Sequence, residues 1–324
     1  MHQLGSFPEL SERMTHCRLC ELLVETCDSG LWQQVSREKE QLFFLATWKN
    51  AASTRENRGG EIEIENERKK AAVLMVFIQE KYTAGGLSLV IRPLVRSPII
   101  HRSENATADY LEAGYQHFAK QVESKLIDFQ LAQEWLHGCE SYHSCSSTFT
   151  SLTGPYRTPA TFRCVDVENM CIVQPPAQCR YLTLSYVWGA GKKFVTLQEN
   201  IQELSQPGGL NSHLPRLSST IRDAIEFTRW LGEKYIWIDS LCILQDGGEE
   251  KLAALNDMGL VYSQALLMIC AADDSCLADG LHGVSVPRMV KQYTREIAPG
   301  FTLTAQFNYE AFLEMSVYNS RGWA

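Results

Sequence analysis

Apolar positions along this chain recur with two periods, and the change from one to the other marks where elements begin and end. YLTLSYVWG and KYIWID, within residues 181–245, are short, dense in β-forming residues and followed by polar or aromatic ones. Each reads as a buried strand that runs into a loop. Between them the period becomes helical. Pro215 precedes a pattern in which Ile221, Ala224, Ile225, Thr228 and Leu231 form one inner face. Thr220-x-x-Asp223 suits a capping pair at its start, and Gly232 ends it. Strand, helix, strand favours a right-handed crossover and parallel pairing.

The same reading extends on both sides. Asn200 to Ser212 is loop-like around Pro207-Gly208-Gly209. A helix is predicted over 249–263 with Leu252, Leu255, Met258 and Tyr262 on one face, then a third buried strand, ALLMICAA, ending at Asp273, Asp274 and Ser275. Gly280-Leu281-His282-Gly283 marks a turn, TREIAPGFTLTAQF a hairpin, and residues 309–315 a short helix. Upstream, residues 1–40 read as a leader and a helix. QLFFLATW, GEIEIENE, AAVLMVFI and LSLVIRPL, the last stopping at Pro93, form a small antiparallel sheet. A helix over about 108–137 follows, with Tyr115, Val122, Phe129 and Leu136 recurring every seven residues and Gly138 as its stop. SSTFTSLTGPYRTPATF reads as a linker, and FRCVDVENMCIV as a strand pair turning at Glu168-Asn169. The expected organisation is an N-terminal α+β region over 1–150, a linker and strand pair over 151–179, and an α/β domain with a mainly parallel sheet over 180–324.

Composition narrows the classes. The chain has 324 residues, 45% hydrophobic and 21% charged, which are globular values. A net charge of −8 argues against nucleic-acid or anionic-membrane partners. Neither a membrane span nor a secretory signal is visible, so the chain reads as intracellular and cytoplasmic, with its 11 cysteines reduced. Burial or metal binding must then account for so many thiols.

Candidate chemistry follows from strand polarity. Parallel strands bring their carboxyl ends to one edge, where open α/β sheets bind ligands. Three ends would meet there: Ser185, Tyr186 and Trp188; Asp239, Cys242 and Gln245; Asp273, Asp274 and Ser275. Asp239 is the strongest candidate, because a carboxylate abutting YIWI must be paired or hydrogen-bonded; the alternative is a carboxylate that fixes a loop. Cys242 with His282 as base would be a nucleophilic pair, against the commoner reading of a buried inert thiol. Trp188, Trp237 and Trp323 could stack on a planar ligand or pack in the core. The loop at Gly191-Lys192-Lys193 lacks the phosphate-loop pattern. A separate constellation joins Cys17-x-x-Cys20 to Cys139, His143 and Cys145. Four of these five would complete a tetrahedral structural zinc site; the alternative is that all are separately buried.

These motifs resemble the fungal heterokaryon incompatibility (HET) domain. YLTLSYVWG resembles its opening motif, in which Gly189 takes part. LPRLSSTIRDAIEFTRWLGEKYIWIDSLCILQ resembles its central motif, and Met258 to Ala265, Gly280-Leu281 and Arg321-Gly322-Trp323 resemble later ones. The resemblance covers about 180–324. The upstream Cys17/Cys20 pair and the cluster from Trp135 to Cys145 also resemble features seen before this domain. The resemblance implies a cell-death effector of non-self recognition, acting by self-association or partner recruitment. It also implies a TIR-like, flavodoxin-like sheet with helices on both faces. An NAD-cleaving enzyme is the alternative it opens, with NAD as substrate, since some TIR domains use a Glu for that reaction. Two departures bear on this. The family's last motif usually continues past RGW with a Thr and later a Glu, whereas this sequence ends at Ala324, which opens a truncated, inactive relative as a further alternative. The Trp usual early in the helix after LCILQ is also missing from 249–254.

Overall fold

Twelve strands run through the described residues: β1 (His2–Ser6), β2 (Leu42–Asn50), β3 (Ala72–Glu80), β4 (Leu87–Val95), β5 (Ala119–Lys120), β6 (Cys164–Asp166), β7 (Cys171–Val173), β8 (Leu182–Ser185), β9 (Tyr235–Ile238), β10 (Leu267–Cys270), β11 (Tyr293–Ala298) and β12 (Phe301–Phe307). The helices are α1 (Phe7–Arg13), α2 (Arg18–Cys27), α3 (Phe129–Tyr142), α4 (Ile201–Leu204), α5 (Ser219–Trp230), α6 (Asp239–Cys242), α7 (Glu249–Asn256) and α8 (Met258–Ser263). The structure is a computed structural model that describes residues 2–27, 42–50, 72–80, 87–95, 119–120, 125–142, 158–188, 193–272, 280–288, 292–299 and 301–307. GEIEIENE and the helix predicted over 309–315 lie outside these. Contacts divide the chain into two units, drawn from 1–122 with 290–312 and from 123–289 with 313–324.

The first unit is built on a sheet of order β1-β2-β3-β4-β12-β11, antiparallel throughout that path, with β5 added parallel to β4. The predicted strands are present, and β4 continues past Pro93 to Val95. It can do so because β4 pairs with β3 only as far as Ile91, so the missing N–H of Pro93 need not interrupt that ladder. The C-terminal hairpin is also present, and β12 pairs with β4, Leu303 opposite Pro93. Leu10, Leu22, Leu23, Val24 and Cys27 of α1 and α2 share a core with Ala305. Ser6 and Glu9 form a reciprocal capping box at the start of α1.

The second unit holds a five-stranded mixed sheet of order β10-β8-β9-β6-β7. β8 is parallel to both neighbours, with Leu182 opposite Ile236 and Leu267. β6 and β7 continue the sheet in antiparallel sense beyond β9. Their turn is held by Asp166, whose carboxylate accepts from the amides of Glu168 (3.0 Å) and Asn169 (2.9 Å). The unit is therefore α/β, parallel in the centre and antiparallel at one side. Val165, Leu182, Leu184, Ile236 and Ile238 are fully buried, and Ile221, Ala224, Ile225, Thr228 and Leu231 come from α5 and its C-terminal end to the same core. Burying one such aliphatic side chain contributes about 1.5–3 kcal/mol. Tyr181 is buried as well, and its hydroxyl donates to the Val261 carbonyl at 2.7 Å. Gly232, at φ 81°, closes α5 as the pattern predicts.

Several elements differ from the sequence expectation. The cap of α5 is Ser218, whose Oγ accepts from the Ile221 amide at 3.3 Å; Thr220 and Asp223 lie inside the helix and are buried. Asn200 to Ser212 contains α4 and the start of a 3-10 helix over Asn211–Arg216. The helix predicted over 108–137 is replaced, where described, by β5 and by α3, which begins after Asp128. Asp128 Oδ1 accepts from the Leu131 amide at 3.0 Å, so a cap sits inside the heptad-like recurrence. α3 runs through Gly138 to Tyr142, so Cys139 lies within the helix. One glycine costs a helix about 1 kcal/mol. Docking offsets it: Phe129 packs edge-on to Trp230 with centroids 3.8 Å apart, and Arg180 bridges Glu140 and Glu233. The helix predicted over 249–263 breaks at Asp257 into α7 and α8. Leu252 and Leu255 are 60% and 43% exposed, and Val261 is the buried residue instead. β10, expected to be buried, is the edge strand, with Met268 and Cys270 exposed between half-buried Leu267 and Ile269.

Candidate functional site

Register decides which side chains meet at the end of the central strands. Leu184 of β8 lies opposite Ile238 of β9, so the residues that follow each strand emerge together. β8 ends at Ser185 and runs into an irregular stretch through Trp188; after β9 the chain turns at once into the single turn of α6. Tyr186 then donates its hydroxyl hydrogen to Ser240 Oγ at 2.8 Å. Trp188 Nε1 donates to Asp239 Oδ2 at 2.7 Å, and the Ser240 amide donates to Asp239 Oδ1 at 2.7 Å. Both carboxylate oxygens of a side chain only 9% exposed are thus engaged.

A second layer holds this turn. The Thr196 amide donates to the Ser240 carbonyl (3.1 Å), and its hydroxyl donates to the Leu241 carbonyl (2.7 Å). Gln245 Nε2 donates to the carbonyls of Asp239 (3.1 Å) and Ile243 (3.2 Å), and its own amide donates to the Thr196 carbonyl (2.9 Å). Lys251 Nζ donates to the Gln245 carbonyl (3.1 Å). The segments around 196 and 239–245 are therefore laced together below the pair of strand ends.

Ser185, Tyr186, Trp188, Asp239 and Gln245, all expected from the sequence, come to this one edge. Gly189, Asp273, Arg321 and Trp323 lie outside the described residues. Trp237 is buried in the core, edge-on to Tyr262 at 5.3 Å. Ser240, Thr196 and Lys251 join the site without a sequence motif that marks them; the signal for Ser240 is its place directly after Asp239, where its amide can satisfy the strand-end carboxylate.

The electrostatics fit a fixed frame. Burial, and then the charge of Asp239, push the Tyr186 phenol well above its ordinary range, so it remains a donor. Burial pushes the Cys242 thiol up to about 12. Its sulfur accepts from the Ile238 amide at 3.3 Å and lies beneath the turn, 2% exposed. Its burial and the backbone around its sulfur favour the reading of Cys242 as a packing thiol. Native protein treated with iodoacetamide should leave Cys242 unmodified while half-buried Cys179 reacts, and both should react in denaturant; fast native labelling of Cys242 would contradict this burial.

A further anchor joins distant segments. Asp223 of α5 accepts from the Leu281 amide (2.6 Å) and from Ser285 Oγ (2.7 Å), which places the turn containing His282 beside α5. Among the described residues no group of three or more His, Cys, Asp or Glu side chains is placed to hold a metal ion. His143 and Cys145 lie outside the described residues. No described helix is long and apolar enough to cross a membrane.

The arrangement can present a rigid rim: a half-buried indole fixed by a carboxylate, next to two paired hydroxyls, at the carboxyl ends of parallel strands. Comparisons with known proteins agree with the motifs that build it. Residues 181–324 match the family model described as Heterokaryon incompatibility protein (HET). A stretch of 111 residues is 32% identical to Heterokaryon incompatibility protein 6, OR allele, of Neurospora crassa, covering 32% of this chain and 16% of that protein. No solved structure matches. The chain carries a HET domain over its second part.

Proposed function

We propose that this chain, as the bearer of a HET domain, is a cell-death effector of heterokaryon incompatibility, and that it acts by self-association or by recruiting a protein partner. The observation that supports this most is the meeting of the motif residues as structural ties. Tyr186 binds Ser240, and Trp188 binds Asp239. These bonds hold two loops in one shape, as a docking edge requires. The strand order supports a TIR-like, flavodoxin-like sheet. β8, first of the parallel strands, lies between the second and third, β9 and β10. That is the 2-1-3 order with which flavodoxin-like sheets begin, and in such sheets ligands bind where the order reverses.

Inducible expression of the full chain in a filamentous fungus tests the reading. Arrest of growth on induction is expected; normal growth with the protein accumulated would contradict it. Purified chain incubated with NAD is expected to release no nicotinamide, and turnover would shift the reading to an NAD-cleaving enzyme.

A further inference from the structure

Cys17 and Cys20 lie outside the HET domain and are arranged for chemistry of their own. Cys17 directly precedes α2 and takes the capping position. Its carbonyl accepts from the Glu21 amide at 2.9 Å, and its sulfur accepts from the Cys20 amide at 3.4 Å. Two intervening residues set Cys20 one helical turn on, on the same side. Cys17 is half-buried, whereas Cys20 is buried on the face that continues into Leu23, Val24 and Cys27. One sulfur is reachable and the other stands behind it.

We propose that Cys17 and Cys20 form a reversible thiol–disulfide couple that reacts with small-molecule disulfides, Cys17 as the attacking sulfur and Cys20 as the resolving one. Cys17, half-buried at the start of α2, is the sulfur that a small disulfide can reach, and Cys20, buried one helical turn on, is placed to attack Cys17 in turn.

The exchange balances in two steps. The Cys17 thiolate attacks one sulfur of a disulfide RSSR; the S–S bond breaks, and one RS⁻ leaves and takes a proton from water. Cys20 gives up its proton to water and attacks Cys17 Sγ, forming the intramolecular bond and expelling the second RS⁻, which is protonated. Two cysteine thiols are oxidised, and one disulfide is reduced to two thiols. The pair also supplies two of the four donors of a tetrahedral zinc, so metal analysis belongs to the test.

The full chain is equilibrated with glutathione and glutathione disulfide at graded ratios, its free thiols are alkylated, and it is digested with trypsin. Cleavage after Arg18 separates the two cysteines, so only a bridge keeps their peptides joined. The expected result is a Cys17–Cys20 bridge that rises in one transition. Cys20→Ser should trap glutathione on Cys17, and Cys17→Ser should lower glutathione uptake by this segment at least about tenfold. In the unsubstituted chain at neutral pH, Cys17 should alkylate at least about tenfold faster than Cys179, whose thiol is raised by burial. No bridge at any ratio, Cys17 reacting no faster than Cys179, or one tightly held zinc per chain that blocks alkylation of both thiols would each overturn the proposal.

Discussion

Asp239→Ala should abolish growth arrest and lower the stability of the second unit by about 2–4 kcal/mol, read from urea denaturation. The substitution removes the acceptor of two donors at once, Trp188 Nε1 and the Ser240 amide. Leaving a buried donor unsatisfied costs about 1–3 kcal/mol, and the indole and the turn of α6 would both lose their anchor. Asp239→Asn keeps an acceptor oxygen and should lose less than the alanine variant. Equal loss from both would mean that the negative charge or the second acceptor oxygen, rather than a single acceptor, is what matters at this position.

Gly280→Ala is expected to cost about 3–4 kcal/mol, with a matching fall in the urea midpoint. Gly280 has φ +100°, a region that side chains disfavour, and a Cβ there would overlap Asp223 Oδ2 and meet Ser285 Oγ at 2.8 Å. Neither atom is free to retreat, because Asp223 Oδ2 holds both Ser285 and the Leu281 amide. Relief of the clash would break those bonds. A loss under about 1 kcal/mol would show that the turn at 280–285 adapts and that Asp223 does not hold it.

The parts of the fold that periodicity specifies were legible in the sequence. β8, the inner face of α5, β9 and the turn between β6 and β7 each follow from a local pattern and local turn chemistry. What pattern could not specify was choice between local equals and choice of distant partner. Ser218 and Thr220 are both capping residues; Ser218 caps because Thr220 is 2% exposed and Asp223 is turned to a segment 58 residues away. β12 finds β4 across more than 200 residues, a pairing that no window along the chain contains. β10 has the composition of a buried strand, but its place at the sheet edge depends on which side of β8 the chain returns to. Leu252 and Leu255 keep helical spacing with Met258, yet the break at Asp257 turns them to solvent.

The candidate site shows the same division. Strand polarity alone brought Ser185, Tyr186, Trp188 and Asp239 to one edge. That Tyr186 pairs with Ser240 and Trp188 with Asp239 depends on the register of Leu184 against Ile238. For Cys242 the sequence left a nucleophile paired with His282 against the commoner reading of a buried inert thiol; its place at the end of α6, with backbone around its sulfur, favours the packing residue.

The central claim is that the two strand ends are held together through Trp188 and Asp239. A double-mutant cycle of Trp188→Phe and Asp239→Ala, measured by urea denaturation, tests it most directly. The expected coupling is about 1–3 kcal/mol, with the double variant little less stable than the worse single one. Strict additivity of the two losses would contradict the contact and the site built on it.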